Sequence, residues 1–323
     1  MSPERKVKFL NYLQEHLSEK ISKKVIETDL QINRDTLNQL IHSLKNYGIK
    51  VNESDTHIWL EGYPEIFSLA DIVMHTKTVA RKIIPFFDVL STNDIAMRLA
   101  IQGEEEGTVV IAERQRQGRG KGRSSWFSPS DSGLWFSIIF RPPVNTISVE
   151  KFTLLSAVSV VESVKQLFEL DAKIKWPNDV MINGKKFCGI LSEGKISMSG
   201  LEFIVVGIGI NVNLAKDEFP VELNEHATSL EIELNRKVNR VNLFSNLMFN
   251  LDNQYELLKD SPLEVYKKWR SYSDIIGKKI ELSVSGNSIT GIASDFDENG
   301  YLILHKDSGV LEKFMTGTIK KVF

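Results

Sequence analysis

The spacing of apolar residues changes twice along this 323-residue chain, and each change demands a different kind of structure. Phe9, Leu10, Leu13 and Leu17, then Leu37, Leu40, Ile41 and Leu44, recur at helical intervals. From Lys278 onward Ile280, Leu282, Val284, Ile289, Ile292, Leu302 and Leu304 alternate with polar residues, which is strand spacing. Both kinds of run mix in between. The length exceeds what one core ordinarily organises, so the chain divides into separate domains. The expected bounds are 1–63, a linker helix over 64–85, a catalytic unit over 86–271 and a last domain over 272–323.

Ser2-Pro3-Glu4 is a good helix start, with a capping hydroxyl, a proline in the first turn and an acid at the positive end of the dipole. Further starts at Ser22 and Asn33 open two more helices, and Gly48 ends the third. Ile49–Val51 and His57–Leu60 then read as a hairpin. Three helices followed by a hairpin is the layout of a winged helix-turn-helix. On that reading the helix opening at Asn33 is the recognition helix. Asn33, Arg34, Asp35, Thr36, Asn38 and His42, with Lys23 from the preceding helix, are the candidate DNA contacts. A small helical domain with no DNA role is the alternative, since charges up to Gly62 balance.

Gly62-Tyr63-Pro64 breaks the pattern, and a helical segment over Ser68–Ile83 ends before Pro85. Phe86–Leu90 reads as a strand that turns through Ser91-Thr92-Asn93 into a helix. Val109–Ala112 enters a mobile basic loop from Glu113 to Pro129, and Leu134–Phe140 leaves it. That loop sets Arg114, Arg116, Arg119, Lys121 and Arg123 around Gly118, Gly120 and Gly122, a composition suited to phosphate. A buried helix over Glu150–Leu170 follows, then strands over Lys173–Trp176 and Val180–Ile182, a turn at Asn183-Gly184, and strands over Phe187–Leu191 and Leu201–Asn213. The middle is therefore α/β with much antiparallel pairing. The alternating region after Lys278 predicts an SH3-like β-barrel, making the whole chain a multidomain α+β protein.

Composition excludes several classes. A net charge of −2 confines any polyanion site to a local patch, and the single Cys188 excludes an internal disulfide and reads as a core residue. Charged residues interrupt Met1–Leu17, which rules out a secretory core, and Phe203–Val212 is too short to span a bilayer. The reading is a cytoplasmic protein without a membrane partner. Gly118 to Ser124 lacks the spacing of a P-loop, the Gly-x-Gly-x-Gly run does not open a helix, and six scattered histidines give no metal spacing.

The segments GRGKGRSSWFSP, KWPNDV, FCGIL and GIGINVN, preceded by STND and Gln115, resemble the biotin protein ligases in order and spacing. With both flanking domains, the resemblance extends to the bifunctional ligase/repressor branch and covers nearly the whole chain. It implies that biotin is activated by ATP, carried with Mg²⁺, to biotinyl-5′-AMP and passed to a lysine on the biotin carrier domain of a carboxylase. It also implies an operator-binding homodimer with the adenylate as corepressor. On this basis Lys175 and Arg119 are the catalytic cations, and no protein-only metal site is expected. Ser91, Thr92, Asn93, Gln115, Arg119, Gly120, Lys121 and Lys175 bind biotin; Gly118, Trp126, Asn178 and Asn211 bind ATP or the adenylate. Asp179 either takes the acceptor's proton or caps a turn. Many relatives carry arginine where Lys121 stands, which implies an altered hold on the adenylate. Lipoate or octanoate ligation on the same fold, a single-stranded nucleic-acid tether, and a ligase with a vestigial DNA-binding domain are the competing readings.

Overall fold

The computed structural model describes residues 3–16, 19–46, 51–60, 66, 69, 75–142, 148–197 and 200–323. The first unit contains α1 (Pro3–Glu15), β1 (Ile21–Ser22), α2 (Lys23–Asp29), α3 (Arg34–Asn46), β2 (Val51–Glu53) and β3 (His57–Leu60). Its strands form a small sheet in the order β1-β3-β2. Phe9, Leu10, Leu13, Ile26, Leu37, Leu40, Ile41 and Leu44 bury their side chains with Ile58 and Leu60, as the helical spacing demands. Asn33 caps α3, its Oδ1 accepting the Thr36 N–H at 2.9 Å, which occupies a side chain expected to read DNA. Lys23 departs further from that expectation. It is 6% exposed and its Nζ lies 2.9 Å from Glu53 Oε2, so it ties α2 to β2. Arg34, Asn38 and His42 remain exposed on α3, with Arg34 paired to Glu27. Gly48 and the first residues of the expected hairpin lie outside the described residues.

The second unit runs β4 (Lys82–Val89), α4 (Thr92–Ile101), β5 (Thr108–Arg119), β6 (Ser125–Ser128), β7 (Gly133–Phe140), α5 (Val149–Phe168), β8 (Lys173–Lys175), β9 (Asp179–Ile182), β10 (Lys185–Ser197) and β11 (Gly200–Asn211). Helices α6 (Leu230–Leu234), α7 (Arg240–Asp260) and α8 (Pro262–Tyr272) follow. The sheet order is β4-β5-β7-β11-β10-β9-β8, with β6 on β5; β4 and β5 pair parallel, the rest antiparallel. Its apolar runs are continuous because both faces are covered. Val109, Ile111, Phe136, Ile138, Phe140, Ile204 and Val206 join the core that contains α5 and α7; Val110, Ile139, Phe203 and Val205 pack with Ala96 and Ala100 of α4.

Two expectations fail in this unit. The linker helix does not reach Ile83: residues 75–81 are turns, and the sheet starts at Lys82. Asp252 of α7 accepts the backbone N–H groups of Lys77, Thr78 and Val79 at 2.7, 2.8 and 2.8 Å, which holds this stretch out of helical geometry. Pro85 is tolerated because β4 is an edge strand. The earlier part of the expected helix falls largely outside the described residues. The basic segment, expected as a loop, is mostly a hairpin. β5 continues to Arg119, a 3₁₀ turn spans Lys121–Arg123 and β6 returns. Gly118 permits the close approach, since a Cβ there would lie 2.4 Å from the Trp126 carbonyl oxygen. At its base, buried Arg240 meets Glu113 Oε1 at 2.7 Å.

The last unit comprises β12 (Lys279–Val284), β13 (Asn287–Phe296), β14 (Leu302–Lys306), β15 (Leu311–Phe314) and β16 (Thr318–Val322), an antiparallel sheet in the order β15-β14-β13-β12-β16. It is fixed to the middle unit by Trp176 Nε1 donating to Gly300 O at 2.9 Å, Tyr266 Oη donating to Phe296 O at 2.6 Å, and Arg270 pairing with Asp295 at 2.6 Å. Among the described residues no helix is long and apolar enough to cross a membrane.

Candidate active site

The turn from β4 into α4 places Ser91 at the cap position and Thr92 and Asn93 in the first helical turn, all at most 4% exposed. Shielded from water, Thr92 and Asn93 take their hydrogen-bond partners from β5, β7 and β10. Gln115 Oε1 accepts the Thr92 N–H at 2.8 Å, and its Nε2 donates to Ser128 Oγ at 3.0 Å. Ser137 Oγ reaches Asn93 Oδ1 at 2.6 Å and Thr92 Oγ1 at 2.8 Å. The result is a rigid polar wall along one side of a pocket, with Arg119, Gly120, Lys121, Trp126 and Asn178 along the others.

Glycines make the floor. A Cβ at Gly207 would stand 2.0 Å from Asn93 Oδ1, and one at Gly209 would stand 2.4 Å from Trp126 Nε1. Trp126 lies against Gly189 and Gly209, with its buried Nε1 unpartnered among the described residues.

Three cations converge here. Arg119 pairs through Nη1 with Asp94 at 2.5 Å and through Nη2 with Glu193. Burial opposes its charge, but those two carboxylates together hold its pKa above the ordinary arginine value. Lys121 lies 5.8 Å from the centroid of the Trp176 ring, and desolvation lowers its pKa despite Asp179 and Glu150 nearby. Lys186 stands 4.9 Å from the Trp126 ring centroid and 2.6 Å from Asp179 Oδ1.

Lys186 was not among the residues expected from sequence; Lys175 was. Lys175 lines a wider cleft of about 610 Å³, shared with Ser283–Gly286 and Thr316–Ile319, and does not line the inner pocket. Lys121, Asn178 and Lys186 line both spaces. Asn178 holds the wall, its Nδ2 donating to Ile190 O at 2.8 Å. Gly118 lies behind Trp126 in the outer groove beside the hairpin. Asn211 does not line the inner pocket; it is 5% exposed and its Nδ2 donates to Thr228 O at 3.0 Å, which ties β11 to the segment that follows. The side chain of Arg123 lies outside the described residues. Cys188 is fully buried and burial pushes its thiol pKa up, which removes it as a nucleophile.

The pocket thus offers neutral hydrogen-bonding groups at one side and cations at the other. It can hold a polar head by its hydrogen bonds while screening two anions from each other.

Known proteins resemble this chain in sequence and in fold. The Biotin/lipoate A/B protein ligase family model matches residues 86–211, and that of the Biotin protein ligase C terminal domain matches 275–322. The bifunctional ligase/repressor BirA of Bacillus spizizenii is 32% identical over 91% of each chain, and that of Bacillus subtilis is 34% identical over 70% of each. A solved structure of biotin protein ligase from Aquifex aeolicus in complex with biotin and ATP superposes with a TM-score of 0.64 at 27% identity, covering 74% of this chain and 98% of that one. With a mixed α+β ligase fold, a C-terminal antiparallel β domain and these relatives, the chain belongs to the biotin protein ligase family, in its bifunctional ligase/repressor branch.

Proposed function

We propose that this ligase binds the ureido head of biotin on the wall formed by Ser91, Thr92, Asn93 and Gln115, and activates its carboxylate with ATP. The supporting observation is the adjacency of that neutral wall to Arg119, Lys121 and Lys186. A biotin carboxylate oxygen attacks the α-phosphorus of ATP, the bond from that phosphorus to the bridging oxygen breaks, and pyrophosphate leaves. The attacking group is already ionised near neutral pH, so no general base is needed. The barrier is the approach of anion to anion, which a positive charge between them lowers. Lys186 replaces Lys175 as our choice for that charge, because it lines the inner pocket. Arg119 exchanges its carboxylate partners for substrate oxygens, and Trp126 stacks near the adenine.

Mg²⁺ would enter with the triphosphate as part of the substrate and would screen part of its charge. Asn178 and Asp179 at the rim are oxygen donors of the type such an ion accepts.

In the second step the ε-amine of a carrier-domain lysine attacks the acyl carbon, the bond to the phosphate oxygen breaks, and AMP leaves. The amine must lose a proton, and Asp179, which pairs with Lys186 at the wider cleft, is our choice for its acceptor. The wider cleft beside β12 and β16 is the proposed entry for that acceptor.

The first unit is proposed to be a winged helix-turn-helix that presents α3 to an operator, with Arg34, Thr36, Asn38 and His42 as contacts. The last unit is proposed to be an SH3-like barrel. The adenylate would favour a cytoplasmic homodimer that sets two copies of α3 on a palindrome. Incubation with ATP, Mg²⁺, biotin and an apo carrier domain, read by mass spectrometry beside lipoate, tests the enzyme; transfer of lipoate alone refutes it. A mobility-shift assay on the chain's own biotin-gene promoter tests repression, and no shift with biotin and ATP present refutes that part.

A further inference from the structure

Glu193 lies near the end of the long strand β10, behind the pocket rather than among its lining residues. Its two oxygens do different things. Oε2 accepts from Asn93 Nδ2 at 2.9 Å, while Oε1 pairs with Arg119 Nη2. Asn93 Nδ2 also donates to Leu191 O at 3.3 Å, so both amide hydrogens are engaged. Asn93 Oδ1 takes a hydrogen bond from Ser137 at 2.6 Å. An amide oxygen has two lone pairs, so among the described residues the remaining capacity of Asn93 is one acceptor direction at Oδ1.

An asparagine amide is nearly symmetric in shape, and only its partners decide which end faces which way. A carboxylate can accept but cannot donate, so Glu193 forbids the flipped state in which Oδ1 would meet it. Leu191 O forbids that state as well, but more weakly, being neutral and farther away. From this we propose that Glu193 is a specificity-setting positioning residue: it locks Asn93 with Oδ1 available, so that the pocket reads an N–H donor on the head of its acid substrate. The inference rests on the biotin reading above and sharpens it, because a ureido ring supplies N–H donors and a dithiolane ring supplies none.

The measurement is adenylation by the full-length enzyme, scored by pyrophosphate release, with biotin and with its two isomers methylated at one ureido nitrogen or the other. For the wild type, methylation of the nitrogen facing Asn93 is expected to raise KM by about tenfold or more, since a site built around an N–H penalises its loss. Glu193→Gln, nearly the same shape, raises KM for biotin while holding kcat within about threefold, and it shrinks that methylation penalty to about threefold or less. Glu193→Ala does the same in case the glutamine substitution perturbs folding, and thermal melting reports integrity for both. Asp94→Asn loosens Arg119 without touching Asn93 and leaves the methylation penalty at its wild-type size. A penalty unchanged in both Glu193 variants, or no penalty for either isomer in the wild type, overturns the proposal. Failure of the wild type to adenylate biotin itself refutes the underlying reading instead.

Discussion

Replacing Gly207 by alanine adds one methyl group at the floor of the pocket, and its consequence follows from a single distance. The new Cβ would sit 2.0 Å from Asn93 Oδ1. Ordinary contact begins near 3.4 Å, so the amide must retreat by about 1.4 Å. It has no slack, being held by Ser137 at 2.6 Å, Glu193 at 2.9 Å and Leu191 O at 3.3 Å. Such a retreat breaks the Ser137 bond and stretches the one to Glu193. One neutral and one charged hydrogen bond together contribute roughly 2–4 kcal/mol. Those bonds are lost in the free protein too, so that figure is a cost in stability; biotin loses its own contact to Asn93, and a donor left unsatisfied in the closed pocket costs about 1–3 kcal/mol, which weakens binding by about 5- to 150-fold. Strand geometry favours alanine over glycine by about 0.5–1 kcal/mol, which offsets part of the damage to stability. Calorimetric titration of Gly207→Ala with biotin, alongside its melting temperature, separates the two effects. A biotin Kd within threefold of wild type, in a protein that melts normally, would show that Asn93 does not bind the head group.

The remaining expectations concern charge. Desolvation holds the Lys121 ammonium below the ordinary lysine value, so its cation is lost at a lower pH than a free lysine's; Lys121→Arg is expected to extend adenylation to higher pH and to slow escape of biotinyl-AMP, and identical alkaline limbs and off-rates would refute this. Arg240→Met removes the cation beside buried Glu113, which keeps only the Asp131 N–H at 2.7 Å among the described residues, at a cost of about 3–5 kcal/mol near neutral pH, read as a fall in melting temperature. Burial already raises the Glu113 pKa, so its favourable protonation is present at low pH and lost as pH rises through that raised value. The deficit of Arg240→Met therefore shrinks toward acid, and a deficit that is flat with pH counts against the assignment. Arg270 holds Asp295 below the ordinary aspartate pKa, so their contribution to docking of the last unit is present above the unfolded value and lost as pH falls through the depressed one. Protection factors along β13, with rates corrected for the intrinsic pH dependence of amide exchange, are expected to fall between pH 5 and 2, and to fall less in Asp295→Asn, which lacks the pair at every pH; equal changes in the two proteins would refute this.

Most of what depends on the period of apolar residues was legible in the sequence, the linker helix excepted; what depends on register or on distant partners was not. The buried helix α5, the Asn183-Gly184 turn and the strand-to-helix turn at Ser91 follow from local rules, and the structure holds each within a few residues of its expected place. Lys186 shows where such rules stop. Strict alternation along β10 puts Lys186 on the same side as Cys188, which is in the core. The ladder to β9, however, shifts between Lys186 and Cys188, and this irregularity carries Lys186 to the side of Gly189, where a Cβ would meet its side chain at 3.2 Å. A second shift, between Gln115 and Gly118 on β5, occurs where β6 turns Trp126 over the floor. Both irregularities lie at the pocket. A regular ladder would leave the lysine in the core, so displacing it is what gives the sheet a cation beside the polar wall. The same limit applies to Asn211: nothing in GIGINVN reveals that the carbonyl of Thr228 takes a hydrogen bond from its amide. That contact spans seventeen residues and is settled by the tertiary fold alone.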